Sequence, residues 1–184
     1  MSKIIFLDVD GTLIDYEAKM PVSAGKAVDL ARANGHKVYI CTGCSKDEIL
    51  QRNLCDLDGM ILGNGTYIEH ENKVIMHDAM PLDEVKKVVH WCEQKDLAFY
   101  LETNSGVYCN DRMVQDGPAT MVKYAQGKGA DLTQAKHNAQ SFIDSFTLIH
   151  GEEFYREDVN KIDFIIRDYQ DHLDAITAFP HLAH

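Results

Sequence analysis

Two short strings hold the groups best able to do covalent chemistry in this chain: FLDVDGTL, residues 6–13, and VYICTGC, residues 38–44. The first sets two carboxylates, Asp8 and Asp10, directly after an apolar run. Side chains alternate along a strand, so carboxylates at this spacing are expected to point the same way. Gly11 lets the chain turn sharply and Thr12 adds a hydroxyl. Such a pair could serve as nucleophile and general acid/base with a divalent cation between them. Magnesium suits two hard oxygen ligands that leave room for water and a phosphate. The same string also reads as a plain polar turn closing a strand. In the second string, Cys41-Thr42-Gly43-Cys44 ends an apolar run and leads to Ser45 and Glu48, which match a capping box at a helix start. It reads as a redox pair, as half of a metal site, or as a turn whose hydroxyl and amides hold an anion.

The elements around these strings are legible from periodicity. Residues 3–9, KIIFLDV, are nearly all apolar, as expected of a strand buried on both faces. A helix is expected over 23–34, with Ser23 as N-cap, Ala27, Leu30 and Ala31 on one face, and Gly35 as the stop. HKVYIC, 36–41, and DGMILGNG, 58–65, supply two more strands. Strand–helix–strand–helix–strand at this spacing describes parallel βαβ units of a doubly wound, Rossmann-like sheet, whose ligands bind outside the carboxyl ends of the strands. The texture changes after Gly65. TYIEHENKVIMH reads as a hairpin turning at Glu71-Asn72, and Pro81 opens an amphipathic helix to about Lys95, with Leu82, Val85, Val88, Val89 and Cys92 on its apolar side. Short strands near AFYLET and GVYCN, a poorly patterned helical region over 111–140, a strand at KIDFIIRD and a helix over 171–179 complete an α+β half. The expected fold class is α/β, a partial doubly wound core over 1–78 followed by an α+β unit over 79–184.

Composition narrows the function classes. Of the 184 residues 45% are hydrophobic and 26% charged, and the net charge is −11, which argues against nucleic acid or an anionic membrane as the main partner. The first apolar run is too short for a signal peptide and is broken by Asp8. No window approaches the roughly 18 apolar residues of a membrane span. The five cysteines sit in apolar segments or helix patterns, which suits free thiols in a reducing cytoplasm. His181 and His184 read as a frayed terminus rather than as ligands.

DVDGTL resembles the first motif of the haloacid dehalogenase-like hydrolase superfamily. The resemblance implies that Asp8 attacks phosphorus to form an aspartyl-phosphate, that Asp10 is the general acid/base, and that both hold Mg2+, Asp10 through its backbone carbonyl. VYICTG resembles the second motif, in which Thr42 and Gly43 bind the phosphate together with Gly11 and Thr12. ILGNGTYI resembles the stretch before the cap domain of the Cof-type subfamily, which makes Asn64 a further phosphate-side candidate and the α+β half an inserted cap. Under this resemblance the C-x-x-C string is phosphate chemistry, with the helix at Ser45 adding its positive end. A thiol oxidoreductase is the rival that leaves Asp8 and Asp10 unexplained.

The chain departs from the family pattern in two places. Cys44 stands where relatives often carry Arg. The family's later lysine and its acidic Gly-Asp-x-x-x-Asp motif have no counterpart, Lys161 reading as the start of a cap strand. A truncated or partial chain is therefore expected, either still a phosphatase or a catalytically inactive binding module. Strand one would then have an apolar edge open to a second copy, giving a homodimer. The expected small-molecule partner is a small phosphorylated metabolite.

Overall fold

The apolar run at the start forms strand β1, Ile4–Leu7, and two further runs form β2, Lys37–Cys41, and β3, Gly59–Leu62. These belong to a computed structural model that describes residues 1–182 apart from 16–18, 53, 128 and 130. His184 lies outside the described residues. β1, β2 and β3 pair in parallel in chain order, Leu7 facing Ile40 and Cys41 facing Ile61. Helices α1, Val22–Ala33, and α2, Lys46–Gln51, make the two crossovers that parallel pairing requires.

The hairpin of β4, Tyr67–His70, and β5, Lys73–His77, turns at Glu71 and Asn72 as expected. Both have positive φ, 47° and 61°, the pair of left-handed residues a two-residue hairpin turn favours. β4 runs antiparallel to β3, so the hairpin completes a five-stranded sheet ordered β1-β2-β3-β4-β5. The second sheet is β8-β7-β6-β9, built from β6, Phe99–Thr103, β7, Val107–Cys109, β8, Thr147–Leu148, and β9, Val159–Phe164. Helices α3, Leu82–Gln94, and α6, Tyr169–Ala178, accompany it, and α4, Asp111–Gly127, and α5, Leu132–Asp144, divide the region expected to be helical. The architecture is α/β, as its sequence pattern implied.

Each sheet has its own apolar core. Val9, Leu13, Ile14, Val28, Val38, Ile40 and Leu62 fill the first, and Val85, Val89, Cys92, Phe99, Leu101 and Phe154 the second. Polar cross-links join the halves through His77, which bonds Asn160 at 3.0 Å and Asn104 at 3.2 Å.

Three expectations need correction. β1 is not buried on both faces: it is an edge strand, with Ile4 63% and Phe6 57% exposed. The N-cap of α1 is Pro21, not Ser23, and it makes no side-chain cap bond. Leu30 and Ala27 are exposed, because α1 turns Gly25 and Val28 inward, with Ala24 and Ala31 partly buried beside them.

Asp58, just before β3, ties the first sheet to α1. It is 8% exposed and accepts from the Val38 amide at 2.9 Å, Arg32 at 3.2 Å and Lys37 at 2.9 Å. Burial alone would raise its pKa, but the Val38 amide and Lys37 hold it below the usual range. Asp58→Ala should cost about 2 kcal/mol in urea unfolding at neutral pH, mostly from the orphaned Val38 amide, since both cations are partly in water. A depressed carboxylate contributes its stability above its unfolded pKa, so the Asp58 advantage should shrink as pH falls through the acid range.

Candidate active site

The carboxylate pair is positioned by a turn, not by strand alternation. β1 ends at Leu7, and the Leu13 amide then folds back to the Asp8 and Val9 carbonyls at 3.2 and 3.0 Å. Val9, Leu13 and Ile14 are buried and pin the loop, while Asp8, Asp10, Gly11 and Thr12 are left exposed. Gly11 has φ 77°, a backbone conformation that suits glycine and makes the sharp turn. Within the loop the Thr12 hydroxyl donates to Asp8 Oδ2 at 2.9 Å.

The second loop leaves the sheet at the same edge. Thr42 is buried and its amide donates to Ile61 at 3.0 Å, while its hydroxyl oxygen accepts from the Cys44 amide at 3.2 Å. The turn after β3 closes over it: Gly63 N–H donates to the Cys44 carbonyl at 3.0 Å and Asn64 N–H to the Thr42 carbonyl at 3.3 Å. A Cβ on Gly43 would stand 2.8 Å from Asn64 Oδ1, so the glycine is what allows this approach. The sequence candidates Thr42, Gly43 and Asn64 thus form one packed unit.

The capping box holds as expected: Ser45 N–H donates to Glu48 Oε2 at 2.9 Å and Glu48 N–H to Ser45 Oγ at 3.4 Å. This corrects one expectation. The positive end of α2 is already satisfied by Glu48, with Asp47 beside it, and adds little to the loop.

Sequence reasoning missed Arg52. This residue caps the C-terminal end of α2, and its side chain is 21% exposed. Its Nη1 donates to Asp10 Oδ1 at 2.5 Å and its Nη2 to Cys44 Sγ at 3.4 Å. The Cys44 thiol in turn lies 3.6 Å from Asp10 Oδ2. Arg52 and Cys44 therefore join the two loops through Asp10. Burial opposes the charge of Arg52, yet its bond to Asp10 leaves the guanidinium pKa raised. The available signal was its position seven residues after the Ser45 N-cap, two helical turns along the same face. Burial pushes the Cys44 thiol up to about 11, the reverse of an activated thiol, which weighs against the redox reading of Cys41 and Cys44.

The second sheet also reaches this site. Lys161 does lie near the start of a strand, third in β9, and its Nζ extends to the Gly43 carbonyl at 3.5 Å. The same Nζ lies 2.8 Å from Glu102 Oε1 and 3.2 Å from Asp163 Oδ2. Glu102 faces Lys161 and Tyr100 faces Asp163 across the β6–β9 ladder. Glu102 Oε2 is buried without a hydrogen-bond partner, and Asp163 Oδ2 meets Lys161 at ion-pair distance without hydrogen-bond geometry. A cleft of about 1520 Å³ opens beside this group, bordered by Gln51, Tyr100, Met121, Phe142 and Asp163. His181 is paired with Glu84 at 3.1 Å. Among the described residues no set of three or more His, Cys, Asp or Glu side chains could hold a metal ion, and no helix is long and apolar enough to cross a membrane.

Residues 5–184 match the family described as haloacid dehalogenase-like hydrolase. The putative phosphatase YkrA of Bacillus subtilis is 28% identical over 96 residues, half of this chain and 37% of that relative. The phosphatase YwpJ of the same organism is 24% identical over 175 residues, 88% of this chain and 59% of that relative. A hypothetical protein from Geobacillus kaustophilus superposes over the whole chain with a TM-score of 0.74 at 18% identity, covering 64% of its own length. The chain thus spans between about a third and two thirds of the length of these relatives.

Glu102 offers a test of the inter-sheet cluster. Burial, then the charge of Glu48, raise its carboxyl to about 8 against the pull of Lys161. The folded state then keeps a proton that the unfolded chain releases from about pH 4.3 upward, so stability is lost as pH rises between these values. The melting temperature of the wild type should fall relative to Glu102→Gln between pH 5 and 8.5, read by circular dichroism, and parallel profiles would show that Glu102 titrates normally.

Proposed function

The chain belongs to the haloacid dehalogenase-like hydrolase family, and from that premise we propose that it is a Cof-type, cytoplasmic phosphatase that hydrolyses a small phosphate monoester with magnesium. In this reading residues 1–78 form the catalytic core and 79–184 its cap. The observation that carries it is the meeting of the Asp8–Thr12 turn with the Thr42–Cys44 loop at one sheet edge, joined through Asp10.

The residues present fit Mg2+ by their donor chemistry: Asp8 offers a hard carboxylate oxygen and Asp10 its backbone carbonyl, both at exposed positions, and Mg2+ takes its remaining ligands from water and phosphate. When bound, the ion would neutralise phosphate charge and lower the barrier to attack. Asp8 is the nucleophile: a carboxylate oxygen forms the bond to phosphorus as the ester P–O bond breaks. The Asp10 carboxyl gives its proton to the departing oxygen. Asp10, now a carboxylate, takes a proton from water, whose oxygen attacks phosphorus, releasing inorganic phosphate and restoring Asp8. Thr42 and Gly43, with Gly11, Thr12 and Asn64 around them, hold the phosphate oxygens. Lys161 meets this loop from the second sheet.

The full 184-residue chain should release phosphate from a generic aryl phosphate only with Mg2+ present, and quenched mass spectra should carry a phosphoryl adduct on Asp8. Asp8→Asn should remove both signals. Unchanged release in that variant would end this mechanism, and no turnover by the wild type would favour the binding-module reading.

A second copy is the other proposed partner, pairing along the open edge of β1 where Ile4 and Phe6 are exposed. Sedimentation should find a dimer that Phe6→Lys converts to monomer; a wild-type monomer at high concentration would count against it.

A further inference from the structure

Two carboxylates at one sheet edge, in a chain of net charge −11, must be offset before a phosphate can approach them. The available cations differ in how they are engaged. Lys161 is shared between Glu102 and Asp163 on the second sheet, and only grazes the loop at the Gly43 carbonyl. The N-terminal end of α2 is taken by its capping box. Arg52 alone among these is placed against Asp10 itself.

The reach of Arg52 follows from helix geometry. Side chains tilt toward the helix N-terminus, so a long one at the C-terminal cap lies back along the preceding turns. A helix-ending arginine would ordinarily turn to the terminal carbonyls. Here the guanidinium instead uses two of its nitrogens, one on Asp10 and one on the Cys44 sulfur, the forked donor pattern that lysine cannot copy in full. Thiol and guanidinium then grip opposite oxygens of the one carboxylate, Cys44 at Oδ2 and Arg52 at Oδ1. The side chain keeps 21% of its surface exposed.

Resting on the phosphatase reading, we propose that Arg52 is a positioning and charge-compensating residue of the Asp8/Asp10 site, orienting Asp10 and supplying positive potential where phosphate binds. A charge of this kind acts with opposite sign on the two ligands of the site: it attracts phosphate and repels Mg2+. A residue that merely held the loop together would, when removed, weaken both.

The experiment is calorimetric titration of the full chain with inorganic phosphate and, separately, with Mg2+, for wild type, Arg52→Gln and Arg52→Lys. In Arg52→Gln, phosphate affinity should fall about five- to tenfold while Mg2+ affinity rises about threefold, the size expected of one charge a few ångström away in a partly wet site. Arg52→Lys, which keeps the charge and loses the fork, should hold Mg2+ affinity within about twofold of wild type and lose about two- to threefold in phosphate affinity, the part owed to orientation of Asp10. Equal loss of both affinities in Arg52→Gln, or no change in either, overturns the inference while leaving the phosphatase reading intact. A wild type that binds neither ligand overturns that reading, and the inference with it. Unfolding curves of the three proteins separate lost binding from lost structure.

Discussion

The parallel pairing of β1 with β2 is the constraint from which the site follows. Because the strands run the same way, with Leu7 opposite Ile40, the loops after them leave the sheet at one edge. β3 joins in the same sense through Cys41 and Ile61, so the Gly63–Gly65 turn arrives at that edge as well. Three loops distant in sequence meet without any direct instruction to do so. A one-residue slip in this register would turn Val38 and Ile40, both buried, to the opposite face, so the apolar pattern holds the loops in place. The core that fixes the sheet also fixes the first loop, since Val9, Leu13 and Ile14 anchor the turn that leaves Asp8 and Asp10 outside.

Electrostatics then decides how the site is finished. Carboxylates beside one another repel an anion, and the usual backbone remedy, the first turn of the following helix, is spent internally on Ser45 and Glu48. What remains are side chains that arrive from elsewhere. Arg52 comes from the far end of α2 and Lys161 from the second sheet, and each is already paired with carboxylate. Cations so paired are restrained in place and less mobile than free surface lysines, at the expense of part of their field.

Local signals were legible and long-range ones were not. The Ser45–Glu48 box, the Glu71-Asn72 turn and the apolar stripe of α3 depend on residues within one or two turns of each other, and the structure bears them out. The exposed apolar edge of β1 was legible once the chain was read as only part of a larger sheet. The inward face of α1 was not, because Leu30 fits a helical stripe equally well whether or not a partner lies beneath it. The division of 111–140 into α4 and α5 was not legible, α4 running through Pro118 to Gly127, and the two-residue β8 is held by pairing with β7. Arg52 was missed for a sharper reason: its partner Asp10 lies 42 residues away, and position along α2 alone does not name that partner. Family resemblance pointed to Asp8, Asp10, Thr42 and Gly43, residues whose types a motif fixes, and not to Arg52, whose contact with Asp10 depends on placement alone.

The second sheet shows how core and site can be written into the same strands. Along β6 and β9, Leu101 faces Ile162 and Phe99 faces Phe164, and these lie with the apolar cluster that includes Val85 and Val89 of α3. The alternate positions pair Glu102 with Lys161 and Tyr100 with Asp163. Since strand side chains alternate, these four share the other face, the one from which Lys161 meets Gly43. One face carries the α3 core, while the other combines packing of Tyr100 against Phe142 and Phe146 with the polar cluster that meets the Thr42–Cys44 loop. Substitutions at 102, 161 or 163 can change the chemistry presented there and leave the packed face untouched, while changes at 99, 101, 162 or 164 disturb the platform beneath it. The period of two that builds the sheet is what keeps the α3 core and the Glu102, Lys161 and Asp163 cluster on separate residues.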